Sequence, residues 1–237
     1  MTSTSENDGS TTSGSLAGRS VLVAGATGGL GSAIAGDLAA RGALLTLVAR
    51  DPDRLTALDL PGHKVALDLR DPQACEAAVG AAHGHAGRLD VVVNAVGVVA
   101  FGMVAELSSD VMEELFMTNT FVPIMLSRAA LASLADGGVI VNISGVIAEQ
   151  GVAGMAAYGA SKAAVRSFDE ALAREARRRK IRVIDARPPH TETGLATRPV
   201  AGQAPKMPVG LDPARVAATI CEAIVGDVVD LPSGAFG

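Results

Sequence analysis

The sequence predicts an α/β fold: a doubly wound parallel sheet of about seven strands with helices on both faces, in a single domain. Two observations predict it. Short apolar runs alternate with helix-like segments along the chain, and runs such as Val91-Val92-Val93 and Val139-Ile140-Val141 are apolar at every position. A strand that is apolar on both sides has to be covered on both sides, as in a parallel sheet whose crossovers are helices. A third observation marks the first crossover. Gly25-Ala26-Thr27-Gly28-Gly29-Leu30-Gly31 lies directly between an apolar run and an alanine-rich helical segment.

Taken in order, residues 2–15 contain no apolar side chain and are mostly Ser, Thr and Gly. Such a segment cannot join a core, so 1–15 is expected as a disordered tail and 16–237 as the domain. Lacking an apolar h-region, the tail does not read as a secretory signal. Strand 20–24, helix 29–41, strand 43–49, helix 52–58 and strand 64–67 then make a βαβαβ opening. Helix 72–83, strand 90–94, a long helix 109–134 and strand 139–143 continue the pattern. A second long helix, 154–180, strand 181–186, a loop, helix 213–225 and a short strand near Val228 complete it.

Composition narrows the function classes. With 237 residues, 49% of them hydrophobic, the chain can bury the core of one large domain. A net charge of -5 argues against a nucleic-acid partner. The basic stretch 174–182 ends a helix, where cations complement the helix dipole. No uninterrupted apolar run is long enough for a bilayer, since Asn94 and glycine break up 91–101. Cys75 and Cys221 have neither disulfide nor zinc spacing, which fits a reducing cytoplasm. His83-Gly84-His85 has no acidic companions, so it reads as a solvated turn and no metal is expected.

Two motifs carry chemistry. Glycines let a backbone turn tightly and approach a pyrophosphate, and the helix N-terminus behind them offers free N–H groups and partial positive charge. Gly25, Thr27, Gly28, Gly29, Leu30 and Gly31 are therefore expected to hold a dinucleotide. Tyr158 and Lys162 stand four residues apart and share one helix face. An ammonium beside a phenol favours the phenolate, so Tyr158 is expected to exchange a proton below its ordinary pKa near 10.

Together, Gly25-xxx-Gly29-x-Gly31, Asn119 and Tyr158-xxx-Lys162 resemble the short-chain dehydrogenase/reductase family, over roughly residues 16–232. The resemblance implies a Rossmann-type fold, a nicotinamide cofactor and interconversion of a ketone with a secondary alcohol. Tyr158 would move the proton, Lys162 would tune it and bind ribose, and Asn119 would steady a water relay. Asp68 and Leu69 fall where the family meets the adenine. Asn94, Ala95 and Gly97 stand in its Asn-Asn-Ala-Gly segment, and Pro188, Thr191 and Thr193 in its nicotinamide-amide loop. The family also pairs the helices corresponding to 109–134 and 155–180 across subunits, which implies a homo-oligomer, dimer or tetramer.

One member of the family's tetrad is missing. Its serine usually lies 13 residues before the tyrosine, which is Gly145 here, with Ser144 alongside. Side chains alternate along a strand, so Ser144 is expected to point away unless the strand end twists. Three readings stay open. Ser144, a water or a substrate group replaces the hydroxyl in a working reductase; or the chain is a cofactor binder with little chemistry, a sensor or partner subunit; or a different substrate is polarised by a group such as His190.

At the end of the second strand, where a carboxylate would select NAD, the chain has Ala49 followed by Arg50. A guanidinium suits a 2′-phosphate, so NADP is expected over NAD. Gly145, Val146, Met155 and His190 are expected to face the substrate. Val98, Val99, Ile147 and 194–208 add a mainly apolar lining that suits a hydrophobic small molecule. Residues 191–212, rich in proline and glycine, are expected to form a lid.

Overall fold

The computed structural model describes residues 15–237, so the expected tail lies outside the described residues except for Ser15. Seven strands form one parallel sheet: β1 (Ser20–Ala24), β2 (Leu44–Ala49), β3 (His63–Ala66), β4 (Leu89–Asn94), β5 (Leu134–Ile143), β6 (Arg182–Ala186) and β7 (Asp230–Leu231). Their order is β3-β2-β1-β4-β5-β6-β7. The winding reverses between β1 and β4, so a crevice opens at the carboxyl ends of these strands, the usual ligand position in such sheets.

Alternation along β1 shows why the strands are apolar throughout. Val21 and Val23 face the layer of α1 (Gly29–Ala40) and α7 (Pro213–Val225), with Ile34, Leu38, Val216 and Ile220. Leu22 and Ala24 face the opposite layer, with Val79, Leu126 and Leu172 from α3 (Pro72–Ala86), α5 (Val122–Ser133) and α6 (Ala156–Ala176). The remaining helices are α2 (Pro52–Thr56) and α4 (Ser109–Phe116).

Most departures from the expected elements are at their ends, and each has a local cause. α3 runs on to Ala86 because Gly87, at φ 71°, caps it in the left-handed conformation. α6 stops at Ala176, a tight turn follows to Arg179, and Lys180 closes it at φ 54°. The last strand is Asp230–Leu231 rather than near Val228. The long helix expected over 109–134 is two helices joined by a wide turn, Met117–Phe121, with π-type hydrogen bonding. As a whole, Ser109–Ser133 is long and apolar enough to cross a membrane by length and composition, which a search for unbroken apolar runs misses. More than half of it is buried within the fold, which marks it as a core helix.

Candidate active site

The glycine turn leaves β1 and enters α1 with no side chain in the way. Gly25 takes φ 79°, and a Cβ on it would lie 2.8 Å from the Ala95 backbone. A Cβ on Gly31 would overlap the Gly25 carbonyl, and one on Gly29 would lie 2.5 Å from the Thr193 carbonyl oxygen. Three segments distant in sequence, 25–31, 94–97 and 188–193, therefore meet backbone to backbone. Gly28 caps α1 without any side-chain hydrogen bond, so no side chain competes for the N-terminal amides. These features fit a dinucleotide pyrophosphate: a cradle only glycine allows, with a helix dipole behind it.

Arg54, which sequence reasoning passed over, donates from Nη2 to the Thr27 carbonyl at 2.6 Å. Its spacing of four from Arg50 was the available signal. Arg50 is exposed, and Asp51 accepts from the amides of Asp53 and Arg54 as the cap of α2. Asp68 is held by Arg70, whose Nε lies 3.0 and 3.1 Å from its two oxygens, and this bonding keeps the carboxyl below its ordinary range. Arg70 also reaches Glu114 at 3.1 Å. Leu69 is 5% exposed and its side chain lies in the core, so a ligand can meet it only through its backbone.

Asn119 sits in the wide turn between α4 and α5, wholly buried. Its Oδ1 accepts from the Val98 amide and its Nδ2 donates to the Val98 carbonyl, both at 2.9 Å. The same Nδ2 donates to Ser161 Oγ at 3.1 Å. This two-way clamp and the Thr120 bond to the Ser161 carbonyl account for the wide turn, a form common at functional sites. A Cβ on Gly97 would lie 3.3 Å from Lys162 Nζ and 3.4 Å from Asn119 Oδ1, so these groups converge on the crevice.

Tyr158 is half-buried in an apolar cluster with Ala100, Leu115, Val98, Leu107 and Met112. The expected lowering of its pKa is not found: burial pushes the phenol up to about 12. Lys162, 5% exposed, turns its ammonium to the Ile143 carbonyl at 2.8 Å, and burial draws it down to about 8 against the opposing charge of Asp185. The folded pKa of Lys162 thus lies below its unfolded value of 10.5, so its charge destabilises the fold below about pH 8. Lys162→Met is expected to raise stability at pH 7 by up to about 2 kcal/mol, the orphaned carbonyl offsetting part of the gain. The gain should shrink between about pH 8 and 10.5. Urea unfolding of both proteins across that window checks it, and a pH-independent difference would contradict it.

Ser144 is not part of this cluster, which corrects the expectation that it could act there. It is fully buried, and its hydroxyl donates to Asp185. The amides of Ser144 and Gly145 both donate to the Ala186 carbonyl, at 3.0 and 3.1 Å. Both amides on one carbonyl close the end of β5, with the Ser144 side chain turned inward to Asp185. Asp185 in turn binds Arg187, itself 3% exposed, which also binds Glu149 at 2.6 Å and Asp230 at 2.8 Å. Gly145 follows at φ 81°, ψ 165°, a region essentially reserved for glycine.

Of the expected pocket residues, Val146, Met155 and Ile147 are partly exposed, Ile147 and Met155 lining a hollow with Gly159 and Ala163, while Val99 is 3% exposed and belongs to the core. His190 pairs with Glu192 at 3.4 Å. The expected lid is pinned at several points: Val200 donates to the Val99 carbonyl, Phe101 to that of Ala201, and Leu211 to that of His190.

The family model for short chain dehydrogenase matches residues 19–203. The chain belongs to that family. Membership makes it an NAD(P)-dependent oxidoreductase. The chain is 30% identical over 186 residues to 3-oxoacyl-[acyl-carrier-protein] reductase FabG of Vibrio harveyi, covering 76% of each chain. Among solved structures it resembles a short chain dehydrogenase from Burkholderia cenocepacia in complex with NADP, at 28% identity and TM-score 0.81, covering 94% of this chain and 99% of that one. A blue fluorescent protein from a metagenomic library in complex with NADPH is as similar, at 28% identity and TM-score 0.83, with the same coverage.

Proposed function

We propose that this short-chain dehydrogenase interconverts a ketone and a secondary alcohol on a mainly apolar small molecule, with NADP(H) as cofactor and Tyr158 as the proton donor. The observation that carries the reading is the approach of Lys162 and Asn119 to Gly97 beside the glycine cradle, with Tyr158 one helical turn from Lys162 and packed against Val98. When bound, the nicotinamide supplies or accepts the hydride. The chain's own residues do the rest. Val98, Val146, Ile147 and Met155 exclude water from the reacting carbon. Tyr158, kept protonated by its apolar surroundings, gives its proton to the carbonyl oxygen as negative charge gathers there. Lys162 restores that proton and steadies the phenolate, while Asn119 holds the 97–98 backbone against it.

The preference for NADP rests on Arg50 and Arg54, both at the rim beyond β2, with Asp51 occupied as a helix cap. Arg50→Glu is expected to shift the ratio of kcat/KM for NADPH over NADH by at least about tenfold toward NADH. An unchanged ratio would remove Arg50 from that role. Subunit pairing follows the family expectation, and Met117 and Phe121 present exposed apolar surface on the wide turn.

The reductase reading is tested with NADPH and a panel of aliphatic and aromatic ketones, following cofactor oxidation and, in parallel, thermal stabilisation by cofactor. Turnover of panel members supports it. Stabilisation by NADPH with no turnover of any ketone would favour the sensor or partner-subunit reading instead.

A further inference from the structure

We infer that the ketone this site reduces carries its own hydrogen-bond donor beside the carbonyl: a hydroxyl that closes a ring onto the carbonyl oxygen, as in an ortho-hydroxyaryl ketone. The inference rests on the reductase reading and specifies its substrate class. As hydride arrives, the carbonyl oxygen gathers charge, and donors aimed at it dominate the rate. Tyr158 provides one donor. Among the described residues, those flanking Gly145 provide no second one.

Each local candidate is committed elsewhere. Gly145 has no side chain, and its φ of 81° with ψ of 165° belongs to a region that a serine would enter only under strain. Ser144 is fully buried and donates to Asp185, which the Arg187 ion pairs hold in place. The amides of Gly145 and its two chain neighbours are spent as well. The Ser144 and Gly145 amides are bonded to the Ala186 carbonyl, and the Val146 amide to the Pro188 carbonyl at 3.0 Å. His190 faces Glu192.

The same glycine leaves room. A Cβ at position 145 would find only the Pro188 carbonyl oxygen within 4 Å, at 3.8 Å. Substrate atoms can therefore enter the space that a side chain would otherwise fill. A substrate hydroxyl placed there supplies the second hydrogen bond from the ligand side. Partly exposed Val146 and Ile147, which follow Gly145 in the chain, suit an aromatic or otherwise apolar skeleton. The reaction balances without a further reagent: hydride from NADPH forms the C–H bond, and the Tyr158 proton forms the new O–H. The substrate's neighbouring hydroxyl keeps its own proton throughout.

The test compares kcat/KM of the full chain with NADPH for ortho-hydroxyacetophenone, para-hydroxyacetophenone and ortho-methoxyacetophenone. The two hydroxy isomers share composition, but only the ortho isomer forms the internal hydrogen bond. The methoxy compound fills the ortho position without a donor. Loss of one such donor lowers rates by about 10²–10³, so the ortho-hydroxy ketone is expected to exceed both others by at least about tenfold. Equal rates for the two hydroxy isomers, or a methoxy compound as fast as the ortho-hydroxy one, would overturn the inference and leave the reductase reading standing. Absence of turnover for these three and for every ketone of the wider panel would overturn both.

Discussion

Tyr158→Phe is expected to lower kcat/KM for ketone reduction by about 10²–10⁴-fold, the usual contribution of a positioned general acid. The phenyl ring still fills the cluster of Ala100, Leu115, Val98 and Met112, so the fold should tolerate the change. NADPH stabilisation measured by thermal shift should therefore stay close to that of the parent. That pairing separates lost proton transfer from lost structure. A variant that retains full turnover would move the acid to another group and remove Tyr158 from the mechanism.

Arg187→Met is expected to lower stability by about 3–5 kcal/mol, the loss typical of breaking a buried ion pair from one side. Asp185 would be left 4% exposed without its cation, and Glu149 and Asp230 would lose their shared partner. These contacts join the end of β6, the loop after Gly145 and the last strand. Adding Asp185→Ala to Arg187→Met should recover part of the loss, because it removes the stranded buried charge. Urea unfolding of the two variants checks both statements. A loss below about 1 kcal/mol for Arg187→Met would show that the ion pairs do not anchor this region.

The sheet was legible because its signal is local. The runs 21–24, 91–93 and 139–141 are apolar at every position, and that alone demands cover on both faces. The glycine turn was legible for a similar reason, since its strand and helix flank it directly. What could not be read depends on tertiary direction. The spacing of Tyr158 and Lys162 puts them on one face, but it does not say that the ammonium turns to the Ile143 carbonyl or that the phenol lies among apolar side chains. The wide turn at Asn119 comes from a clamp to Val98, 21 residues earlier in the chain. Alternation foretold that Ser144 points away from the site, yet its partner Asp185 lies on another strand. Arg187 drew no notice because Glu149, Asp185 and Asp230 come from three separate segments.

The most direct test of the central claim, that this crevice carries out hydride transfer onto a carbonyl carbon, uses NADPH labelled with deuterium at the nicotinamide C4. The protein, the labelled cofactor and a ketone it turns over are incubated together, and the alcohol is analysed by mass spectrometry and NMR. The predicted result is one deuterium on the carbinol carbon, delivered from a single face of the nicotinamide ring, with the hydroxyl proton coming from solvent through Tyr158. Alcohol formed without deuterium at that carbon would contradict direct hydride transfer in this site.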